Sequence, residues 1–320
     1  MKSILTSVQP VIQNSRSVKI NLDAIKEFSR NVKASDLEGS EFAKDDFVQR
    51  LSEEQNIAFT FLYNAVNFSY WGSPKWAITI EAKEYDGSDG MVRALRQAIG
   101  KGTPLLDATY LATLPERDFA QILRGNVEIP LFAQRLNMVH QLGDVISKSY
   151  RGSFTAFIDA SHWDTAQVVL NLAQEMPEVF NDVVDYHGNK VEFYKRAQLI
   201  PAHIYDLHRF KVVSREISGF SELTAFADYK VPQLLRRFGI LEYSKELADK
   251  IDNLIEIPEG SDEEVEIRAA TIWAVELATK EVKKSVPAAT AAQVDGIFWF
   301  TGQNKSADDK PYHRTRTAWY

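Results

Sequence analysis

One aspartate in the segment SELTAFADYKVPQLLRRFG (residues 221–239) has a setting that suits it to stabilising positive charge. Pro232 fits the first turn of a new helix, and the residue before a proline disfavours helix continuation from upstream. Asp228 therefore lies at or just before a helix N-terminus, where backbone N–H groups and the helix dipole favour an ionised carboxylate. Two interpretations stay open: Asp228 simply caps the helix, or it is an ionised acid, flanked by Phe226 and Tyr229, that stabilises a developing cation.

Two short basic clusters are candidates for binding a phosphate. Lys195 and Arg196 are adjacent in FYKRAQ (193–198), and Arg314 and Arg316 lie in the closing segment PYHRTRTAWY. Adjacent basic residues usually form a solvated helix face. The alternative is that a few local cations hold one phosphate group inside a protein whose net charge is negative.

A third candidate lies in the aromatic run VDGIFWF (294–300). Asp295 is either a helix cap or an acid that binds a ligand, and Trp299 offers a flat surface on which a base can stack. Dense aromatic runs of this kind more often pack in a core.

Common catalytic motifs are missing from the sequence. The chain contains no cysteine, which excludes thiolate nucleophiles, Cys-zinc sites and iron–sulfur clusters. It also contains no dinucleotide-binding glycine motif, P-loop, HExxH or GxSxG. The sequence therefore predicts neither a metal nor a cofactor.

The elements that must position these residues are mostly helical. Apolar residues at helical spacing predict helices over 22–33, 49–66, 90–99, 115–123, 131–148, 163–175, 243–254, 261–284 and 287–302. Ser261 is placed to cap one of them, and Gly239 to end the helix that follows Asp228. The segments WAITIEAKEYDGSDG and FNDVVDYHGNKVEF predict one or two small β-hairpins. We expect a mainly α fold with minor β insertions.

Length and charge restrict the possible partners. The chain has 320 residues, 37 basic and 44 acidic, with a net charge of -7 and 45% hydrophobic residues. An acidic balance argues against binding a nucleic acid polymer or an anionic membrane. No apolar run reaches the roughly 18 residues of a membrane span, and the N-terminus lacks a signal-peptide pattern. We expect an intracellular, cytoplasmic protein that acts on a small molecule.

Several blocks, in order along the chain, resemble those of the queuosine salvage proteins. They are NFSYW (67–71), FYKRAQLI (193–200), FADYKVPQLLRRFG (226–239), EVEIRAATIWAVELA (264–278), VDGIFW (294–299) and YHRTRTAWY (312–320). The resemblance runs from about Asn14 to the last residue. That family hydrolyses queuosine 5′-phosphate to release queuine for salvage into tRNA modification. The resemblance implies one all-α domain over residues 1–320, similar to helix-hairpin-helix DNA glycosylases.

The resemblance also assigns roles. Asp228 maps onto the family's catalytic acid, a nucleophile or a stabiliser of an oxocarbenium ion, and Phe226 maps onto a base-contacting residue. Asp295 maps onto the family's aspartate before the C-terminal aromatic run. The side chains that we expect to bind substrate are Phe226, Asp295, Lys195, Tyr229, Trp299, Arg196, Arg314 and Arg316.

The sequence departs from the family pattern at two places. Gly296 and Phe300 stand where many members have a tyrosine and a second aspartate, and no histidine occurs near Lys44, Asp45 and Asp46, where a base-contacting one is expected. Two alternatives therefore stay open: a glycosylase for another modified nucleotide or a damaged base, and a non-catalytic protein that binds a modified base.

Overall fold

The computed structural model describes residues 1–39, 42–304, 306 and 309–320. In these ranges the chain is mainly α-helical, as predicted. The helices are α1 (Lys2–Asn14), α2 (Leu22–Arg30), α3 (Asp46–Arg50), α4 (Glu53–Val66), α5 (Gly87–Gly100), α6 (Ala108–Ala112), α7 (Glu116–Ile122), α8 (Phe132–Ser149), α9 (Phe154–Ala160), α10 (Thr165–Glu175), α11 (Pro177–Phe180), α12 (Lys195–Arg209), α13 (Lys230–Arg237), α14 (Lys245–Asp252), α15 (Asp262–Val282) and α16 (Ala291–Thr301). The likeness to helix-hairpin-helix glycosylases stays a prediction.

Three antiparallel two-stranded sheets accompany the helices in the described ranges. Their strands are β1 (Val18–Ile20), β2 (Ala77–Ile80), β3 (Lys83–Asp86), β4 (Val183–Tyr186), β5 (Asn189–Glu192) and β6 (Leu241–Tyr243). The pairs β2–β3 and β4–β5 are the two predicted hairpins. In the second, His187 and Gly188 both have positive φ, 52° and 80°, as a two-residue type I′ turn requires. The β1–β6 pair was not predicted, because its strands are distant in the sequence.

The chain is divided into two compact units, each made of separate segments. The first consists of Met1–Ser40, Asp182–Gln198 and Gly219–Arg316, and the second of Glu41–Asn181, Leu199–Ser218 and Thr317–Tyr320. The single domain over residues 1–320 stays a prediction. Within the part of the chain that is described, no helix has both the length and the apolar content needed to cross a bilayer.

The first unit is built around α15. This helix packs against α1, α2, α13 and α16, and it is buried along most of its length. Ser261 caps it, as predicted, by accepting the N–H of Glu264 at 3.4 Å. Because its faces are largely enclosed, its polar residues Glu266 and Arg268, each 2% exposed, are core residues that need partners inside the protein.

The second unit packs α4 against α8 and α9, and α6 closely against α8. The close approach requires Gly143, because a Cβ there would overlap the backbone of Ala112. The buried Arg135 guanidinium donates to the carbonyl oxygens of Val66, Phe68 and Ser69. Phe68, Tyr70 and Trp71 of the NFSYW block are themselves buried, so these aromatic residues have the packing role that such runs usually have.

Candidate active site

The loop before α13 carries Asp228, the aspartate that the sequence places at a helix N-terminus. Asp228 is 7% exposed, and its Oδ1 accepts the backbone N–H groups of Lys230 at 2.7 Å and Val231 at 3.0 Å. The predicted contact with a helix N-terminus is confirmed, since α13 begins at Lys230. Among the described residues, none donates a hydrogen bond to Asp228 Oδ2. One carboxylate oxygen is thus fixed by the start of the helix, whereas the other has capacity to accept a further hydrogen bond.

The end of α13 also follows the prediction. Gly239 has a φ of +67°. Its N–H donates to the carbonyl oxygen of Arg236 at 3.0 Å, and the N–H of Ile240 donates to the carbonyl oxygen of Leu235 at 2.8 Å. These two bonds form a Schellman motif. The helix that orients Asp228 is therefore fixed at both ends.

Asp295, on α16, contacts the same loop. It is 2% exposed, and its Oδ1 accepts the N–H of Phe226 at 3.0 Å. Burial, together with the nearby Asp228 carboxylate, raises the pKa of Asp295 well above its usual range, although the Phe226 N–H and Lys195 act in the opposite direction. Asp295 and Asp228 therefore lie close enough to interact electrostatically.

Lys195 is the cation of this group. It is the first residue of α12 and is only 6% exposed. The interpretation that Lys195 belongs to a solvated helix face is therefore wrong. Burial lowers the pKa of Lys195, while the carboxylates of Asp228 and Asp295 act to raise it. None of the described residues hydrogen-bonds to Lys195 Nζ. The first unit thus brings two carboxyl groups and one ammonium into one buried cluster.

The aromatic candidates are close to the residues of this cluster along the chain, and their rings have different surroundings. Phe226 is partly buried, and its ring contacts no other described aromatic ring. Trp299 follows Asp295 by one helical turn, so the two share a face of α16, and its ring contacts Phe300 at 5.2 Å. Tyr229 is also partly buried, with its ring 4.8 Å from that of Tyr312.

The remaining basic candidates occupy different positions. Arg196 is 1% exposed and lies near enough to Lys195 to affect its pKa. Arg314 accepts the N–H of Ile257 on its backbone oxygen at 2.8 Å, and Arg316 lies 3.9 Å from Glu256. These contacts join both arginines to the loop before α15.

The segment that lacks the expected histidine has contacts of its own in the second unit. Asp45 caps α3 by accepting the N–H of Phe47 at 2.9 Å and forms an ion pair with Arg96 at 3.0 Å. Lys44 Nζ lies 5.3 Å from the centre of the Phe210 ring. Asp45 therefore has a structural role that the sequence did not indicate.

Sequence reasoning missed the ion pair between Asp182 and Arg268. The Arg268 guanidinium donates to both carboxylate oxygens of Asp182, at 2.9 and 2.6 Å, and from Nε to the Ala227 carbonyl oxygen at 3.2 Å. Asp182 Oδ2 also accepts the backbone N–H of Lys195 at 3.2 Å. No sequence signal reveals this pair, because its members are 86 positions apart. Within the described ranges, no group of three acidic or histidine side chains is placed to hold a metal ion.

Comparisons with known proteins agree with the resemblance noted from the sequence. A family model described as "Queuosine salvage protein" matches residues 48–320. A Sphaerobacter thermophilus protein named queuosine 5′-phosphate N-glycosylase/hydrolase is 36% identical over 323 residues, covering 99% of this chain and 97% of the relative. A Bos taurus protein of the same name is 29% identical over 286 residues, covering 85% and 83%. A Schizosaccharomyces pombe protein, also of that name, is 26% identical over 319 residues, covering 93% and 91%.

Proposed function

Because the chain belongs to the queuosine salvage protein family, we propose that it hydrolyses the N-glycosidic bond of queuosine 5′-phosphate and releases free queuine. The names of its relatives support this reaction. The observation that carries the proposal for this chain is the Asp228 carboxylate, which has one oxygen fixed by the amides of α13 and the other without a hydrogen bond from described residues.

The reaction breaks the bond between ribose C1′ and the base nitrogen, with the electron pair leaving on the base. Positive charge then develops on the ribose, and a carboxylate next to C1′ stabilises it. We assign this role to Asp228 Oδ2, as a nucleophile or as an electrostatic partner. Water supplies the hydroxyl group that ends on C1′, and its proton balances the departing base, so the products are queuine and ribose 5-phosphate.

The base makes this sugar stabilisation more important. Queuine is a 7-deazapurine and has no N7 to protonate, so the usual activation of a purine leaving group is missing. We propose that Asp295 contacts the polar edge of the base or its side-chain amine, and that Phe226, with Tyr229 and Trp299, stacks on its faces. Because Asp295 Oδ1 already accepts the Phe226 N–H, its Oδ2 is the oxygen for this contact.

The 5′-phosphate needs a cation, and we assign Lys195 to it, with Arg196, Arg314 and Arg316 as further candidates. The buried ammonium of Lys195 donates no hydrogen bond to any described residue, which supports this role. We also propose that the protein acts in the cytoplasm on the free nucleotide and not on a nucleic acid polymer, in line with its net charge of -7.

The test is to incubate the protein with queuosine 5′-phosphate and follow free queuine by chromatography, with the Asp228→Asn variant as the matched control. We expect release by the wild type and strongly reduced release by the variant. Parallel incubations with queuosine and with queuosine-containing tRNA show whether the substrate is the free nucleotide, the nucleoside or the polymer. Binding of queuosine 5′-phosphate without release by the wild type would favour the non-catalytic binding protein.

A further inference from the structure

The buried ion pair between Asp182 and Arg268 contacts both chain segments that carry the site. Through Nε, Arg268 holds the carbonyl oxygen of Ala227, the residue directly before Asp228. Through Oδ2, Asp182 holds the backbone N–H of Lys195, the first residue of α12. One bidentate pair therefore joins the loop of the carboxylate to the start of the helix that carries the ammonium.

Other contacts of the pair are also made with the backbone and side chains next to the site. The Asp182 carbonyl oxygen accepts the N–H groups of Phe193 at 3.0 Å and Tyr194 at 3.3 Å. Tyr194 has a φ of 49°, a left-handed conformation that a non-glycine residue adopts at a cost and that the surrounding structure must hold. The Arg268 guanidinium also lies 3.9 Å from the centre of the Phe193 ring.

Glu266 is a second buried charged residue on α15, and it shows that burial alone does not bring a residue into contact with the loop next to Asp228. Glu266 lies two residues before Arg268 and is equally buried, at 2% exposure. Its carboxylate accepts hydrogen bonds from Ser15, Arg16, Ser17 and Tyr186. Glu266 therefore holds the turn between α1 and β1, whereas Arg268 holds the loop next to Asp228.

We propose that Asp182 and Arg268 are positioning residues, which set the distance and orientation of Asp228 relative to Lys195 without touching the substrate. This inference rests on the proposed function for its kinetic consequence. A fixed geometry matters because the carboxylate must meet C1′ while the cation meets the phosphate, and a displacement of about 1 Å can cost on the order of 10²-fold in rate.

The test compares Arg268→Lys and Asp182→Asn with Glu266→Gln as the matched control. Lysine keeps the charge but cannot donate to Ala227 and to both Asp182 oxygens at once. Asparagine keeps an acceptor for the Lys195 N–H but removes the carboxylate charge of Asp182, so that Arg268 keeps its longer ion pair with Glu264 at 3.5 Å. We expect both variants to lower kcat about 100-fold with KM changed by no more than about threefold, because the lost geometry matters most in the transition state. Glu266→Gln should lower the melting temperature and leave kcat within about twofold of wild type.

Amide hydrogen exchange provides a readout that is independent of activity. Exchange over residues 224–231 should become faster in Arg268→Lys and Asp182→Asn and stay unchanged in Glu266→Gln, whose faster exchange should fall on residues 15–18. If Arg268→Lys does not fold, the kcat of Asp182→Asn and its amide exchange over residues 224–231 test the positioning role. Wild-type kcat and wild-type exchange over 224–231 in a folded variant would overturn the positioning role, as would an equal loss of kcat in Glu266→Gln. Absence of queuine release by the wild type would instead count against the proposed function, and the exchange data would still decide this inference.

Discussion

The Oδ1 atom of Asp295 accepts the backbone N–H of Phe226 at 3.0 Å and so attaches α16 to the loop that carries Asp228. The contact has an electrostatic consequence, since it holds a second buried carboxyl group close to Asp228. Burial and this neighbour raise the pKa of Asp295 well above its usual range. The Asp295 side chain therefore fixes the loop, and its ionised form is destabilised by burial and by repulsion from Asp228.

Asp295 should make stability fall as the pH rises. In the unfolded chain its carboxyl group titrates near pH 4, and in the folded protein well above that value. Between the two values the folded state holds the extra proton, so the free energy of unfolding decreases by up to about 1.4 kcal/mol per pH unit. Asp295→Asn keeps an acceptor for the Phe226 N–H and removes this decrease. Denaturant unfolding from pH 4 to 9 measures both proteins.

Asp295→Ala is the control for the structural part of this contact. It leaves the Phe226 N–H without its acceptor and should cost about 1–3 kcal/mol of unfolding free energy, with the pH dependence also removed. Parallel pH curves for the wild type and Asp295→Asn would contradict the assigned titration.

Asp228→Asn should abolish most of the activity while keeping the fold. The amide oxygen can accept the same two N–H groups of Lys230 and Val231, but it lacks the negative charge that stabilises the ribose cation. We expect kcat to fall on the order of 10²–10³-fold, with a melting temperature close to that of the wild type. Single-turnover release of queuine measures the change. Equal release by the two proteins would remove Asp228 from the reaction.

Lys195→Gln should distinguish phosphate binding from charge balance. If the ammonium binds the 5′-phosphate, kcat/KM for queuosine 5′-phosphate falls about 10–100-fold, because a charge-assisted hydrogen bond is lost, and the value for queuosine changes little. The control is Lys310→Gln, which removes an exposed cation paired with Asp252 and should change neither value. An equal fall in kcat/KM for queuosine 5′-phosphate and queuosine would mean that Lys195 balances the charge of Asp228 and Asp295 and does not bind the phosphate.

Two glycines near the site should respond to alanine with opposite signs. Gly239 has a φ of +67° in the Schellman motif and no atom within 4 Å of a new Cβ, so Gly239→Ala should cost about 1 kcal/mol through backbone strain alone. Gly296 lies inside α16, where a Cβ would meet the Phe300 ring at an ordinary 3.7 Å. Gly296→Ala should therefore add about 0.5–1 kcal/mol through helix propensity. Thermal unfolding compares them, and a shift of the same sign in both would contradict this reasoning.

Local patterns predicted the elements around the site well. Pro232 and Gly239 delimited α13, Ser261 capped α15, and the turn at Gly188 indicated the β4–β5 hairpin. Each of these signals acts over a few residues, through backbone conformation or a nearby hydrogen bond, and is therefore readable from the chain. Helix α1 was not predicted. It contains Pro10, and a proline inside a segment is a local signal against a helix.

The sequence by itself determined the helical class of the protein, its family and the position of Asp228 at a helix N-terminus. These depend on local spacing and on blocks that keep their order along the chain. Only the tertiary structure decided that Lys195 is buried beside Asp228 and Asp295, and that Asp182 pairs with Arg268. The physical reason is that burial and ion pairing depend on which distant segments pack together. A basic residue has the same letter on a solvated face and in a buried cluster, and the packing around α15 determines which it becomes.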